Sequence, residues 1–218
     1  MSDPNSSRGQ NSLANMLVTH GRFEEGKAYL EAAIERHPES TLLNLNLLLL
    51  KVNMLQASAD DFDATGRRLA QQVFDAQAIM AIRMIVDKVT APVSPMFYRD
   101  ETLRLLDALD GNAAFARFHE YKRLSAYLKG RLYLAKAEPV TACQHYAQAV
   151  PLYANVEAVM MMVAELASAS VFDCALDTLT LAEKILETQK DRSLHRPRQS
   201  YESEIKRLRE IIDQEKRK

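Results

Sequence analysis

Any chemistry in this chain would have to be done by five histidines, two cysteines and a few paired carboxylates. A metal or proton-transfer site on one helix needs its groups three or four residues apart, so that they share a face. Cys143 and His145 are two apart, about 200° around a helix, and cannot share a metal or a proton. His20, His37, His119 and His195 are scattered along the chain. The pairs Glu24/Glu25 and Asp60/Asp61 stand where helices begin, and there capping and the helix dipole account for them. The sequence has no glycine-rich phosphate loop, no HExxH and no GxSxG. Neither a metal or cofactor site nor an enzyme is expected. Met160, Met161 and Met162 would suit an adaptable binding surface, but the register places Met162 in the core.

The elements that must position any site are helical. Hydrophobic residues make up 47% and charged residues 26% of the 218, while six glycines, seven prolines and no tryptophan leave few breakers. With abundant Ala, Leu, Glu and Arg, this favours an all-α fold. The net charge of −1 lacks the basic excess of a nucleic-acid binder. Residues 184–218 hold 11 Lys/Arg against 7 Asp/Glu. That mildly basic end reads first as a solvated helix face, and second as a contact for an acidic partner or an anionic lipid surface. The most apolar stretch, Leu42–Leu55, is too short and, with Asn44, Asn46, Lys51 and Asn53, too polar to cross a bilayer. It reads as a helix buried between neighbours, so no transmembrane segment is expected. The first residues lack the apolar core of a signal peptide. Cys143 and Cys174 form neither a metal-type spacing nor a disulfide framework; they read as small buried apolar groups and indicate no oxidising compartment.

In chain order, residues 1–11 are expected to be disordered. Residues 13–38 form a helical hairpin. Leu13, Ala14 and Leu17 share one face, and Gly21 permits a left-handed turn. Gly26, Leu30, Ala33 and Ile34 pack the second helix, which Pro38 stops. The next pair has about two extra residues in its turn, and its second helix opens at Ser58, Ala59, Asp60 and Asp61. It runs on through Leu69, Val73 and Phe74. Helices over 75–92 and 96–109 flank a linker around Ala91–Pro95, and Asp110, Gly111 and Asn112 make a turn. The hairpin pattern returns over 122–155, with Gly130 and Tyr133 on one helix and Ala142, Tyr146 and Ala149 on the other. It returns once more up to residue 189. A linker over 190–200 leads to a charged helix over 201–218 with an apolar face of Ile205, Leu208, Ile211 and Ile212.

Anchored on Pro38, this order of small and large residues resembles the tetratricopeptide repeat, a helix–turn–helix of about 34 residues. The resemblance is close over 12–40 and 122–189, and the apolar middle diverges from it. Ala142 to Ala175 spans 33 residues, one short of the repeat. Gln10 falls on the tryptophan-like position, which implies a first helix that is short or exposed at its start. The family implies a right-handed superhelix of antiparallel helix pairs over 12–189, with residues 201–218 as the C-terminal capping helix. It also implies that the first helix of each pair lines a concave groove. Register then puts Asn11, Asn15, Leu45, Asn46 and Leu49 on the early part of that groove and Tyr127 and Arg131 on the later part. One subfamily grips a partner's C-terminal carboxylate there with Lys and Asn. Asn15 and Asn46 fall on two of those positions, but Asn11 stands at a normally basic one and the basic residues of the next repeat have no counterpart.

These implications amount to a non-enzymatic protein–protein interaction scaffold without cofactors, holding a peptide or helix of a protein partner. An alternative comes from the succession of a faithful repeat, apolar degenerate pairs and a charged end. It resembles the soluble helical tails of bacterial envelope polysaccharide polymerases and O-glycan ligases, which would associate the chain with a membrane-bound complex. The first reading implies the cytoplasm if Met1 is the native start, and the second the periplasm.

Overall fold

The computed structural model describes residues 5–72, 76–91, 98–150 and 155–218, and every regular element among them is a helix. A first compact unit, Met1–Phe118, carries α1 (Ser7–Thr19), α2 (Phe23–Arg36), α3 (Thr41–Asn53) and α4 (Ala59–Gln71). It continues with α5 (Ala78–Thr90), α6 (Arg99–Asp110) and the single turn α7 (Ala113–Ala116). A second unit, His119–Lys218, carries α8 (His119–Ala135), α9 (Pro139–Ala149), α10 (Val156–Ser168), α11 (Phe172–Thr188) and α12 (Arg198–Lys216).

Four helix pairs are closed by one and the same turn. Gly21, Leu55, Ala137 and Ser170 have φ of 74°, 57°, 59° and 60°. In each, the N–H of that residue reaches three residues back and the following N–H reaches five. Gly21 donates to the Val18 carbonyl at 2.9 Å and Arg22 to that of Leu17 at 3.0 Å; Leu55 and Gln56, Ala137 and Glu138, and Ser170 and Val171 repeat this. It is the Schellman arrangement, which occupies the last carbonyls of one helix while reversing the chain. Leu55 follows Gly21 by 34 residues and Ser170 follows Ala137 by 33, so the repeat is a periodicity of the backbone itself. Only one of the four positions is glycine. A β-carbon in the left-handed region costs about 1–2 kcal/mol, which packing of the flanking helices offsets at the other three. The connection 54–58 is two residues longer than 20–22, 136–138 or 169–171, as the spacing of the second pair leads one to expect.

Packing follows from small residues at the helix crossings. A β-carbon on Gly26 would lie 2.9 Å from Val18 Cγ2, and one on Gly130 would lie 2.8 Å from the Tyr146 ring, so α1–α2 and α8–α9 touch backbone to side chain at these points. Helix α3 is apolar nearly all round, and nine of its residues are buried because it packs against α1, α2, α4 and α5. Helix α4 opens with a capping box in which the Ser58 side chain accepts from the Asp61 N–H and the Asp61 carboxylate accepts from the Ser58 N–H. Lys51 of α3 donates to the same carboxylate at 2.7 Å. Burial works to raise the Asp61 carboxyl, but the bonds from Lys51 and Ser58 outweigh it and hold the group below the usual carboxylate range.

Several expectations are corrected. Residues 7–11 are not disordered but begin α1: the Ser6 hydroxyl caps it by accepting from the Gly9 N–H at 3.1 Å. Gln10 is 4% exposed, not open, because its Oε1 accepts from Arg36 Nη2 at 2.8 Å across the hairpin. Cys143 and Cys174 are half-buried and joined in a disulfide, Cα to Cα 6.0 Å, rather than standing as separate buried thiols. Helix α12 starts at Arg198 and buries Tyr201, Ile205 and Ile212, while Ile211 is 43% exposed. Met162 is in the core as expected, and Met161 points outward. The expected helical run through Val73 and Phe74 and the linker from Pro92 to Pro95 lie outside the described residues. No helix among the described residues is long and apolar enough to cross a membrane.

Asp61→Ala removes both the cap partner and the Lys51 ion pair, and should lower stability at pH 7 by about 1–2 kcal/mol. Because the folded pKa is depressed, the wild-type advantage is complete above the unfolded value of roughly 3.9 and fades as pH falls through the folded one. Thermal unfolding of both proteins at pH 7 and pH 2.5 checks this: the gap in Tm should narrow sharply in acid.

Candidate functional site

Helix α3 lies against both α1 and α5, and one face of each borders a cavity of ≈ 420 Å³ within the first unit. The contributing positions recur at helical spacing. Asn11, Asn15 and Val18 come from α1, and Leu42, Asn46, Leu49 and Asn53 from α3. Gln77, at the N-cap of α5, is followed by Met80, Ala81 and Met84 one and two turns on. Buried Leu30, Leu42, Leu50 and Ala81 form the floor, while Asn15, Asn53 and Gln77 stand exposed at the rim. Met80 and Met84 are 59% and 47% exposed, a large apolar area to leave in water.

The polar part of this surface is almost entirely carboxamide. Asn11, Asn15, Asn46, Asn53 and Gln77 each carry an N–H₂ and a carbonyl, and among the described residues bordering the cavity none is ionisable. Asn46 uses one N–H on the Leu42 carbonyl of its own helix at 2.9 Å, which leaves its second N–H and its oxygen. Thr19 donates its hydroxyl to the main-chain carbonyl of Asn15 at 2.8 Å, leaving the Asn15 carboxamide out of that bond. The Asn11 Oδ1 is buried and accepts no hydrogen bond. Leaving a buried acceptor unsatisfied costs about 1–3 kcal/mol.

Of the residues that register assigns to a groove, Asn11, Asn15, Asn46 and Leu49 meet at this cavity. Leu45 does not: it is 0% exposed and belongs to the core of the first unit. Because α3 is apolar on nearly every side, its sequence does not distinguish the groove face from the face one residue round. Tyr127 and Arg131 belong to the second unit and are held there by Glu165 of α10. That carboxylate accepts from the Tyr127 hydroxyl at 2.9 Å and the Tyr146 hydroxyl at 2.6 Å, with Arg131 Nε at 3.3 Å. Burial pushes the Tyr146 phenol far up, and the neighbouring Glu165 charge adds to the shift. These side chains therefore lock α8, α9 and α10 together. Asn53, Gln77, Met80 and Met84 escaped the sequence reading, although Asn53 follows Asn46 by two turns and the α5 residues share one face.

Four basic residues of the C-terminal end are engaged by the protein itself. Arg198 donates to the Asp191 carboxylate at 2.7 Å and to the Leu186 and Gln189 carbonyls, closing the end of α11. Arg209 pairs with Glu183 at 2.9 Å, Lys216 pairs with Asp173, and Arg196 lies against Glu204 at 2.8 Å while stacking on Tyr201.

Glu165→Ala should leave the buried Tyr146 hydroxyl without an acceptor and destabilise the protein by about 1–3 kcal/mol. Tyr127→Phe should cost less, because it removes one donor and strands nothing. Denaturant unfolding of the three proteins gives the order. No protein-family model and no curated protein matches the sequence, so the functional reading rests on the geometry of the cavity.

Proposed function

We propose that this chain is a non-enzymatic interaction scaffold of the tetratricopeptide-like, superhelical kind, whose α1–α3–α5 face holds a segment of a protein partner. The cavity bordered by one face each of the alternate helices α1, α3 and α5 supports this reading best. Carboxamides and thioethers neither donate nor abstract protons at neutral pH, so its walls suit recognition rather than acid–base catalysis. The absence of lysine or arginine from the described lining residues argues against the carboxylate-gripping variant of such grooves. A volume of this order, with an apolar floor and a few polar groups, is the usual form of a ligand site.

Selection from a displayed library of random twelve-residue peptides tests the reading. Peptides should be enriched on the wild-type protein and lose binding at least tenfold on Asn15→Arg/Asn46→Arg, both changes on exposed or half-exposed positions, with Tm unchanged. Peptides that bind that variant equally well would overturn it.

The Cys143–Cys174 bridge supports a second reading, the helical tail of an envelope polymerase or ligase system, because disulfides persist in oxidising compartments such as the periplasm. Trapping the protein in its native cells with an alkylating agent and weighing it distinguishes the two. No alkylated cysteine is the expected result for the periplasmic tail, and two alkylated cysteines would remove its support.

A further inference from the structure

We infer that the Cys143–Cys174 bridge is a thiol–disulfide exchange site, at which a small thiol attacks the sulfur of Cys143 and Cys174 departs as the thiolate. The inference concerns α9 and α11 and stands apart from whatever the α1–α3–α5 face holds.

Three observations carry it. The first is position. Both cysteines are half-buried rather than enclosed. Cys143 shares its side of α9 with Val140 and Ala147, one turn before and one turn after it; Val140 is 72% exposed, and Ala147 is exposed too. Asp173 and Asp177, before and after Cys174 along α11, are also exposed. The bridge therefore lies at the outer surface of the second unit, where a small reagent approaches it from solution.

The second is the difference between the two sulfurs. Exchange is faster when the departing sulfur carries negative charge well. Cys174 stands in the first turn of α11, a helix of 17 residues whose N-cap, Val171, makes no side-chain cap bond. The dipole and first-turn N–H groups of such a helix favour a thiolate there. Asp173 and Asp177 work against it, but Lys216 pairs with Asp173 and Asp177 acts on the same ammonium. Cys143 lies deeper, in the second turn of α9, and that helix opens with Pro139, which has no N–H to contribute.

The third is what remains when the bridge opens. Helix α9 packs chiefly on α8 and α11 chiefly on α10, while α9 and α11 touch little besides the bridge. The Tyr146 hydroxyl on the Glu165 carboxylate still ties α9 to α10. Each hairpin keeps its own core, so the fold outlasts the bridge. The step itself balances: the incoming thiolate bonds to Cys143 Sγ, the Sγ–Sγ bond breaks, and its electron pair leaves on Cys174. The incoming sulfur is oxidised as Cys174 is reduced, and the proton of the incoming thiol passes to Cys174 or to the buffer.

Brief exposure of the native full chain to 2-mercaptoethanol at neutral pH, quenched with excess iodoacetamide and followed by peptide mass mapping, tests this. The expected early product carries the mercaptoethanol adduct on Cys143 and the alkyl group on Cys174, at least tenfold over the reverse, with the helical circular-dichroism signal kept. The variants Cys143→Ser and Cys174→Ser, with circular dichroism as the control for folding, give a second measure. The remaining Cys174 should reach half its maximal alkylation rate at a lower pH than the remaining Cys143. Equal adducts, adducts mainly on Cys174, or the opposite order of the two midpoints would overturn the inference. So would a bridge that reacts only after denaturant has unfolded the chain, or whose opening itself unfolds the second unit.

Discussion

Two helices joined by three to five residues can lie antiparallel only if the chain reverses within that length and the freed carbonyls find donors. In this protein the requirement is met four times by a single residue in the left-handed region, at Gly21, Leu55, Ala137 and Ser170. Much else depends on those reversals. They bring Gly26 against Val18 and Gly130 against the Tyr146 ring, contacts too close for any larger residue. Each hairpin is then left with an apolar flank that it cannot bury alone, and α3 accordingly buries itself among four neighbouring helices.

Polar groups fasten this arrangement where the apolar seams leave gaps. Arg36 to Gln10, Lys51 to Asp61, and the Asn112 side chain to the Leu69 and Gln72 carbonyls tie elements of the first unit across their turns. In the second unit α10 presents two carboxylates that do the same work. Glu165 gathers Tyr127, Tyr146 and Arg131, and Glu157 accepts from the Tyr201 hydroxyl at 2.6 Å with Arg196 stacked on that ring. Removing one member of such a cluster strands another, so each acts as a unit. The α1–α3–α5 cavity differs in kind, since uncharged carboxamides border it and one buried oxygen, Asn11 Oδ1, accepts no hydrogen bond.

The helices and their pairing were legible in the sequence wherever glycine, proline and capping residues mark the ends, as at Gly21, Pro38, Ser58 and Pro139. The repeat itself was less so in the second pair, because its left-handed residue is Leu55, a type that gives no turn signal. The disulfide was hidden for a related reason. Cys143 and Cys174 are 31 residues apart, a separation without meaning until α9 and α11 are seen to hold the same place in successive hairpins. Half of the cavity was readable from the repeat register, through Asn11, Asn15, Asn46 and Leu49. Leu45 was misplaced because an all-apolar helix has no polar stripe to fix its rotation, and Tyr127 and Arg131 because a Tyr–Glu–Arg cluster looks the same in sequence whether it faces a partner or a neighbouring helix.

If the carboxamides of α1, α3 and α5 recognise a partner, as proposed, their own side-chain N–H₂ resonances carry the signal. On titration with a peptide selected on the wild-type protein, the signals of Asn11, Asn15, Asn46, Asn53 and Gln77 should shift together, while those of the second unit stay in place. Shifts confined to the second unit, or spread over the surface with these five unmoved, would contradict it.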